Sequence, residues 1–264
     1  MGYFNDGRIW RTLALAWGLV WFTPAANLYA GSLISPGTLD VIRKSAEPFG
    51  LFATRLSAGG LLEKWNGVER QLEDDMVQLA LCDGDRDRCV SPAALQLLAI
   101  VDGARAREGR ARFGEINRAI NLAIRPMSDM AQFGQIDVWS SPLATFASGA
   151  GDCEDYAIAK FAALRMAGVS PENIRIVVLR DVLHGENHAA VLAQLDGRWL
   201  MLDNRRMAMI EDIDVRNHQP LFVIDDRGVM RYDQAAPIAS LARQDSFPTV
   251  AVNLTIPIDL TISN

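Results

Sequence analysis

The stretch that decides the fold is Gly151-Asp152-Cys153-Glu154-Asp155-Tyr156-Ala157. It begins an apolar run that continues to Ala167 and is broken only by Lys160 and Arg165. Such a run is wider than one amphipathic stripe, which predicts a helix covered on most of its sides. Cys153 then lies at a helix N-terminus, where unpaired N–H groups and the helix dipole stabilise a thiolate and lower the thiol pKa.

A cysteine in this position has two interpretations. It is either a small buried hydrophobic residue or an activated nucleophile, and the second requires a histidine and a carboxylate elsewhere in the chain. The chain has three histidines, His184, His188 and His218. Because candidate partners are present, we favour the nucleophile.

The best partners lie on a predicted hairpin. Two apolar runs, 188–195 and 198–202, are joined by an Asp-Gly turn, and Asp203 directly follows the second run. A base must be held firmly near its nucleophile, which favours His188 on a strand over the two loop histidines. His188 would take the thiol proton and Asp203 would fix its tautomer. The alternatives are an ordinary strand-end histidine and a turn-forming aspartate.

The rest of the chain predicts an α+β fold, with helices first and an antiparallel sheet after the central helix. Helices are predicted within 61–124 and strands at 174–179, 221–224 and 229–232, whereas 125–150 look irregular. We expect a single domain over 31–264, with a helical part at about 60–125 and a sheet part at about 150–235. Residues after 234 show no strong period.

The first thirty residues predict a secretory signal peptide. Arg8 and Arg11 precede the apolar run Leu13–Phe22, and small residues follow at 25, 26 and 30. The run is shorter than the about 20 residues that span a bilayer, although a retained anchor is the alternative. We expect a protein that does not span the membrane once the signal is removed, in the periplasm if the source is Gram-negative. The net charge of −6, without a long basic run, argues against nucleic-acid binding.

Cys82 and Cys89 flank a charged turn that contains a glycine, and an oxidising compartment makes a disulfide between them possible. The alternating Asp83, Asp85 and Asp87 look like the start of an EF-hand loop, but the glycine and the final glutamate of that loop are missing. We interpret the segment as a solvated turn. Cys153 is then the unpaired thiol.

Three motifs together carry a family resemblance: the stretch at 151–157, Asn187-His188-Ala189, and Leu202-Asp203-Asn204. They resemble the bacterial transglutaminase-like cysteine proteinases, of the LapG-type periplasmic branch, over roughly residues 60 to 235. The resemblance implies a papain-like or transglutaminase-like core with Cys153, His188 and Asp203 as the catalytic triad. It implies an endopeptidase that cleaves a large surface adhesin near its N-terminus, at a pair of alanines, and so promotes biofilm dispersal. It also implies an inner-membrane cyclic di-GMP receptor that sequesters the protease.

The acidic residues beside Cys153 pose an electrostatic problem. A carboxylate about 4 Å from a thiolate repels it by about 4 kcal/mol at an effective dielectric of about 20, which raises the cysteine pKa by about three units. Asp152, Glu154 and Asp155 must turn away, pair with bases or bind a cation, and hard oxygen donors suit calcium. The resemblance implies these three as the Ca2+ ligands. The alternative is helix capping with acids in the first turn.

Two other functions remain open at this stage. The same triad serves acyl transfer, such as glutamine transamidation or amidase action. A secreted binding module with an inactive site is the non-enzymatic alternative.

Overall fold

The computed structural model describes residues 45–233, so the predicted signal peptide and residues 234–264 lie outside the described residues. Its helices are α1 (Gly60–Gly84), α2 (Pro92–Arg105), α3 (Gly109–Ala123), α4 (Asp129–Phe133), α5 (Pro142–Ser148) and α6 (Cys153–Met166). The first three confirm the predicted helical part. At the start of α2 the Ser91 hydroxyl accepts a hydrogen bond from Ala94 N at 3.2 Å, and Pro92 occupies the first turn.

The strands form one large sheet and one small pair. They are β1 (Ala53–Arg55), β2 (Arg125–Pro126), β3 (Ala150–Gly151), β4 (Ile174–Asp181), β5 (Glu186–Leu195), β6 (Arg198–Leu202), β7 (Ile210–Glu211), β8 (His218–Asp225) and β9 (Gly228–Tyr232). Seven pair antiparallel in the order β1-β9-β8-β4-β5-β6-β7, while β2 and β3 form a parallel pair. The predicted α+β class is confirmed.

Both faces of this sheet are covered, which explains why β4 reads as a continuous apolar run rather than an alternating one. Ile176 and Val178 join the core that α6 shares with the other helices. Val177 and Leu179 point to the opposite face and join a second cluster. The helix that begins at Cys153 is buried from its first residue to Leu164, as its composition predicts.

The turn between β5 and β6 has the backbone that its sequence predicts. Asp196 has φ of 50° and Gly197 has φ of 75°, the pair of positive values that a two-residue hairpin of type I′ requires. This turn fixes the register in which Val191 pairs with Leu202. His188 and Asp203 therefore lie beyond the same end of the β5–β6 ladder.

The segment 125–150, which the sequence predicts to be irregular, contains regular secondary structure. It holds α4 and α5, and α5 begins with Ser141 and Pro142, the same pair of residue types that begins α2. Gly149 ends α5 in the left-handed conformation, with φ of 64°, which suits a glycine. Short helices of this length carry too little periodicity to be recognised by pattern alone.

A disulfide joins Cys82 and Cys89, with Cα atoms 4.8 Å apart, and Cys153 is a free thiol. Within residues 45–233, no helix combines the length and the apolar character that a membrane crossing needs.

Candidate functional site

The side chain of Asp155 holds the start of α6 through two hydrogen bonds. Asp155 Oδ2 accepts from the backbone N–H of Asp152 at 3.3 Å, and Asp155 Oδ1 accepts from Ser140 N at 2.9 Å. Gly151 makes this packing possible, because a Cβ at this position would lie 2.6 Å from Asp155 Oδ2 and 2.8 Å from its Cβ. The glycine and the second aspartate of the motif thus position Cys153.

His188 and Asp203 form a hydrogen-bonded pair. His188 Nε2 donates to Asp203 Oδ1 at 2.9 Å, and the same oxygen accepts from Arg205 N at 3.0 Å. Although burial opposes ionisation, the hydrogen bond and charge of His188 lower the pKa of Asp203 to about 2. An ionised Asp203 assigns the proton of the neutral ring to Nε2 and leaves Nδ1 as an acceptor. Nδ1 is buried without a hydrogen-bond partner.

Cys153 lies beside this pair. Its sulfur accepts from the backbone N–H of Ala189, the residue after His188, at 3.4 Å. The thiol donates to Glu154 Oε2 at 3.3 Å. Since His188 Nδ1 has no partner, the structure brings the cysteine to the histidine strand without a hydrogen bond between sulfur and ring. Cys153 and His188 are each only 1% exposed.

The lowered thiol pKa that the helix N-terminus predicts is not found. Burial first, and then the charges of Glu154 and Asp152, raise the pKa of Cys153 well above its usual value, despite the hydrogen bond from Ala189. The charges of Glu154 and Asp152 therefore act on the thiol in the direction that the sequence predicts. A cation that neutralises these carboxylates would remove the electrostatic part of the shift.

A buried group of three carboxylates stands next to the cysteine. Single oxygens of Asp129, Asp152 and Glu154 lie within 4.8 Å of one another. Each of the three side chains also has one buried oxygen without a hydrogen-bond partner. Burial raises the pKa of Asp152 to about 6; a hydrogen bond with Glu154 opposes this shift and the charge of Asp129 adds to it. Burial, and then the charge of Asp152, raise the pKa of Glu154 well above its usual range. Unsatisfied buried carboxylate oxygens are hard donors, so this set fits a divalent cation such as calcium.

The group differs from the sequence-based expectation in one member. Asp155, which the resemblance implies as a ligand, is not in it, because both of its oxygens accept backbone hydrogen bonds at the start of α6. Asp129 takes part instead, from the first turn of α4. Sequence reasoning missed it, since it lies 23 positions before Asp152 in a segment without recognisable structure.

The other two histidines lie around a different carboxylate. His184 Nδ1 is 2.8 Å from Asp181 Oδ2, and His218 Nε2 is 3.8 Å from the same atom. The rings of His188 and His218 are 6.3 Å apart between centroids. Of the three histidines, only His188 is paired with Asp203.

An α+β fold with a helix-start cysteine beside a histidine–aspartate pair is typical of thiol hydrolases. The chain belongs to the bacterial transglutaminase-like cysteine proteinases, because the model of that family matches residues 77–218. This membership makes it a transglutaminase-like cysteine protease.

Solved structures of LapG from Legionella pneumophila are similar to this chain. A calcium-bound form is 20% identical, covers 53% of this chain and 77% of its own, and gives a TM-score of 0.47. Another LapG structure is 18% identical, covers 60% of this chain and 87% of its own, and gives 0.49. An EGTA-treated LapG structure is 18% identical, and the match spans 60% of this chain and 84% of the LapG chain with a TM-score of 0.49. Comparison with curated proteins yields no match.

Proposed function

We propose that the protein is a calcium-dependent cysteine endopeptidase whose catalytic triad is Cys153, His188 and Asp203. The observation that carries the proposal is a histidine whose Nε2 is held by Asp203 and whose Nδ1 is free. The next residue on its strand, Ala189, donates a backbone hydrogen bond to the Cys153 sulfur at 3.4 Å. A base must present an acceptor to the thiol, and this tautomer leaves Nδ1 free for that role.

In the first step, His188 Nδ1 takes the thiol proton and the sulfur attacks the scissile carbonyl carbon. The backbone N–H of Cys153 contributes to the oxyanion hole. The imidazolium then gives its proton to the leaving amine, and an acyl-enzyme remains on the sulfur. Water activated by His188 hydrolyses the thioester and restores the thiol.

The proposed calcium requirement rests on the role of Glu154. Its Oε2 accepts the thiol hydrogen, and that hydrogen bond competes with transfer of the proton to His188. A bound divalent cation would supply positive charge that neutralises the carboxylates facing the thiol. Asp129, Asp152 and Glu154 would hold it, with further oxygens from backbone or water. Asp155 would act by holding the helix start.

The family resemblance extends the proposal to the substrate and the setting. The substrate would be a large surface adhesin cleaved near its N-terminus at a pair of alanines, with biofilm dispersal as the result. The location would be the periplasm, and an inner-membrane cyclic di-GMP receptor would sequester the enzyme.

The test combines substrate and thiol chemistry on the full chain, with Cys153→Ala as the inactive control. We expect the wild type to cleave an N-terminal adhesin fragment that contains paired alanines, to lose this activity in excess chelator, and to label with iodoacetamide at Cys153. His188→Ala should slow that labelling. Incorporation of an amine donor into a glutamine peptide instead of cleavage would indicate transamidation. Neither reaction, with no labelling, would indicate a binding module.

A further inference from the structure

Lys160 is a fully buried cation on the helix that begins at Cys153. It is 0% exposed, whereas lysine is almost never fully buried without a partner. It follows Cys153 by seven positions, so the two residues lie on the same side of α6, about 10 Å apart along the axis. The proposed mechanism makes no use of it.

Its contacts lead to the carboxylate of the triad. Lys160 Nζ donates to the carbonyl of Leu202 at 3.4 Å, and Leu202 immediately precedes Asp203. On its own helix, the ammonium lies 5.7 Å from the centroid of the Tyr156 ring. Asp203 is the ionisable group that acts on the pKa of Lys160, and the charge of Lys160 in turn lowers the pKa of Asp203.

Stability does not explain a lysine at this position. Burial lowers the pKa of Lys160 to about 7, since transfer of the ammonium from water is only partly offset by Asp203. A methionine of similar length would fill the same space without that desolvation cost. Buried ionisable groups with shifted pKa values are concentrated at functional sites, so a buried lysine beside Asp203 points to a role for its charge rather than for its packing.

We propose that Lys160 is a positioning residue of the catalytic site: its ammonium group ties the helix of Cys153 to the strand end at Leu202 and places a positive charge behind the Asp203 carboxylate that His188 holds ionised. The inference rests on the proposed function. Lys160 acts through Asp203 and makes no contact with the reacting atoms.

Two substitutions separate its charge from its hydrogen bond. Lys160→Gln keeps a donor for the Leu202 carbonyl but removes the charge, and Lys160→Met removes both. Tyr156→Phe is the matched control, because it removes a buried hydrogen bond from α6 to the Ile124 carbonyl but keeps the ring beneath Lys160. Each variant is assayed with calcium as the full chain on the adhesin fragment, from pH 5 to pH 9.

We expect kcat/KM of Lys160→Gln to fall about tenfold at pH 6, the effect of about one pKa unit, with KM unchanged. Loss of the Lys160 ammonium raises the pKa of neighbouring acidic groups. The acidic limb of the kcat/KM profile therefore moves to higher pH. The variant should match the wild type at pH 8 to 9, where Lys160 itself has lost its proton. Lys160→Met should be slower across the whole range, and Tyr156→Phe should keep the wild-type profile.

The possible results separate this inference from the function on which it rests. A wild type that cleaves, together with Lys160 variants that keep its kcat/KM and pH profile, overturns this inference alone. A loss equal at every pH in Lys160→Gln, accompanied by a lower melting temperature, indicates a structural role and also overturns it. A wild type that neither cleaves nor labels at Cys153 overturns the proposed function and this inference with it.

Discussion

His188 Nε2 donates a 2.9 Å hydrogen bond to Asp203 Oδ1, and both side chains are buried at the end of one hairpin. The bond fixes which ring nitrogen carries the proton of the neutral imidazole. The bond also leaves Nδ1, the acceptor nitrogen, on the side of the ring away from Asp203. The contribution of the pair to catalysis can therefore be tested by replacing one carboxylate oxygen of Asp203 with an amide nitrogen.

Asp203→Asn should lower kcat by about 10³- to 10⁴-fold while the protein stays folded, because an amide can present its NH2 group to Nε2 and reverse the tautomer. Peptide cleavage gives kcat, and thermal unfolding monitors the fold. Asp214→Asn makes the same charge change at an exposed aspartate and should keep wild-type activity. Near-normal turnover in Asp203→Asn would remove Asp203 from the triad.

Gly151→Ala should lower activity about a hundredfold, because its Cβ would collide with Asp155 and displace the start of α6 by a fraction of an ångström. We also expect a loss of about 1–3 kcal/mol in the free energy of unfolding, typical of overpacking. Gly67→Ala is the control, since an added Cβ there meets nothing closer than 4.0 Å. That helix-interior change should stabilise the protein by up to about 1 kcal/mol. Equal activity in the two variants would contradict the role given to Gly151.

The Cys82–Cys89 disulfide closes a short loop between α1 and α2. Reduction should lower the free energy of unfolding by about 2 kcal/mol, the chain-entropy expectation for a loop of this size. Denaturant unfolding with and without dithiothreitol measures the difference. The double substitution of both cysteines by serine should show the same loss and no further response to the reductant, whereas a stabilised reduced protein would be the contrary result.

The sequence predicted those parts of the structure in which local chemistry and burial agree. The apolar run after Cys153 is buried as predicted, and the Asp196-Gly197 turn places His188 and Asp203 at one end of a hairpin. Both conclusions needed only periodicity and turn chemistry.

The sequence could not predict which residues form the acidic site, because they come together only in the folded chain. Asp129 joins Asp152 and Glu154 from another helix, and no local pattern marks it. Asp155 looked equivalent to its neighbours, but the choice between ligand and helix-capping group depends on where Ser140 N lies. Likewise, burial outweighs the helix dipole at Cys153, and burial is a property of the whole fold.

Calcium should stabilise the protein more at pH 8 than at pH 5. Burial raises the pKa of Asp152 to about 6, from an ordinary value of 3.8. In chelator, this carboxyl group stabilises the folded state fully below about pH 4. That stabilisation is lost as the pH rises through about 6, because the folded protein must then give up a proton that the unfolded chain has already lost. Calcium would bind the ionised carboxylates in competition with protons, so its affinity is expected to rise over the same pH range.

Thermal unfolding in EGTA and in calcium, at both pH values, measures this difference. An increase of about 2.7 kcal/mol is expected at a calcium concentration 100 times the Kd. Asp129→Asn and Glu154→Gln should abolish most of the calcium response, while Asp87→Asn in the acidic turn should leave it intact. Asp155→Asn should lower stability with or without calcium, since both of its oxygens accept backbone hydrogen bonds. If Asp155→Asn removed the calcium response and Asp129→Asn preserved it, the ligand set inferred from the sequence would replace the one that the folded structure brings together.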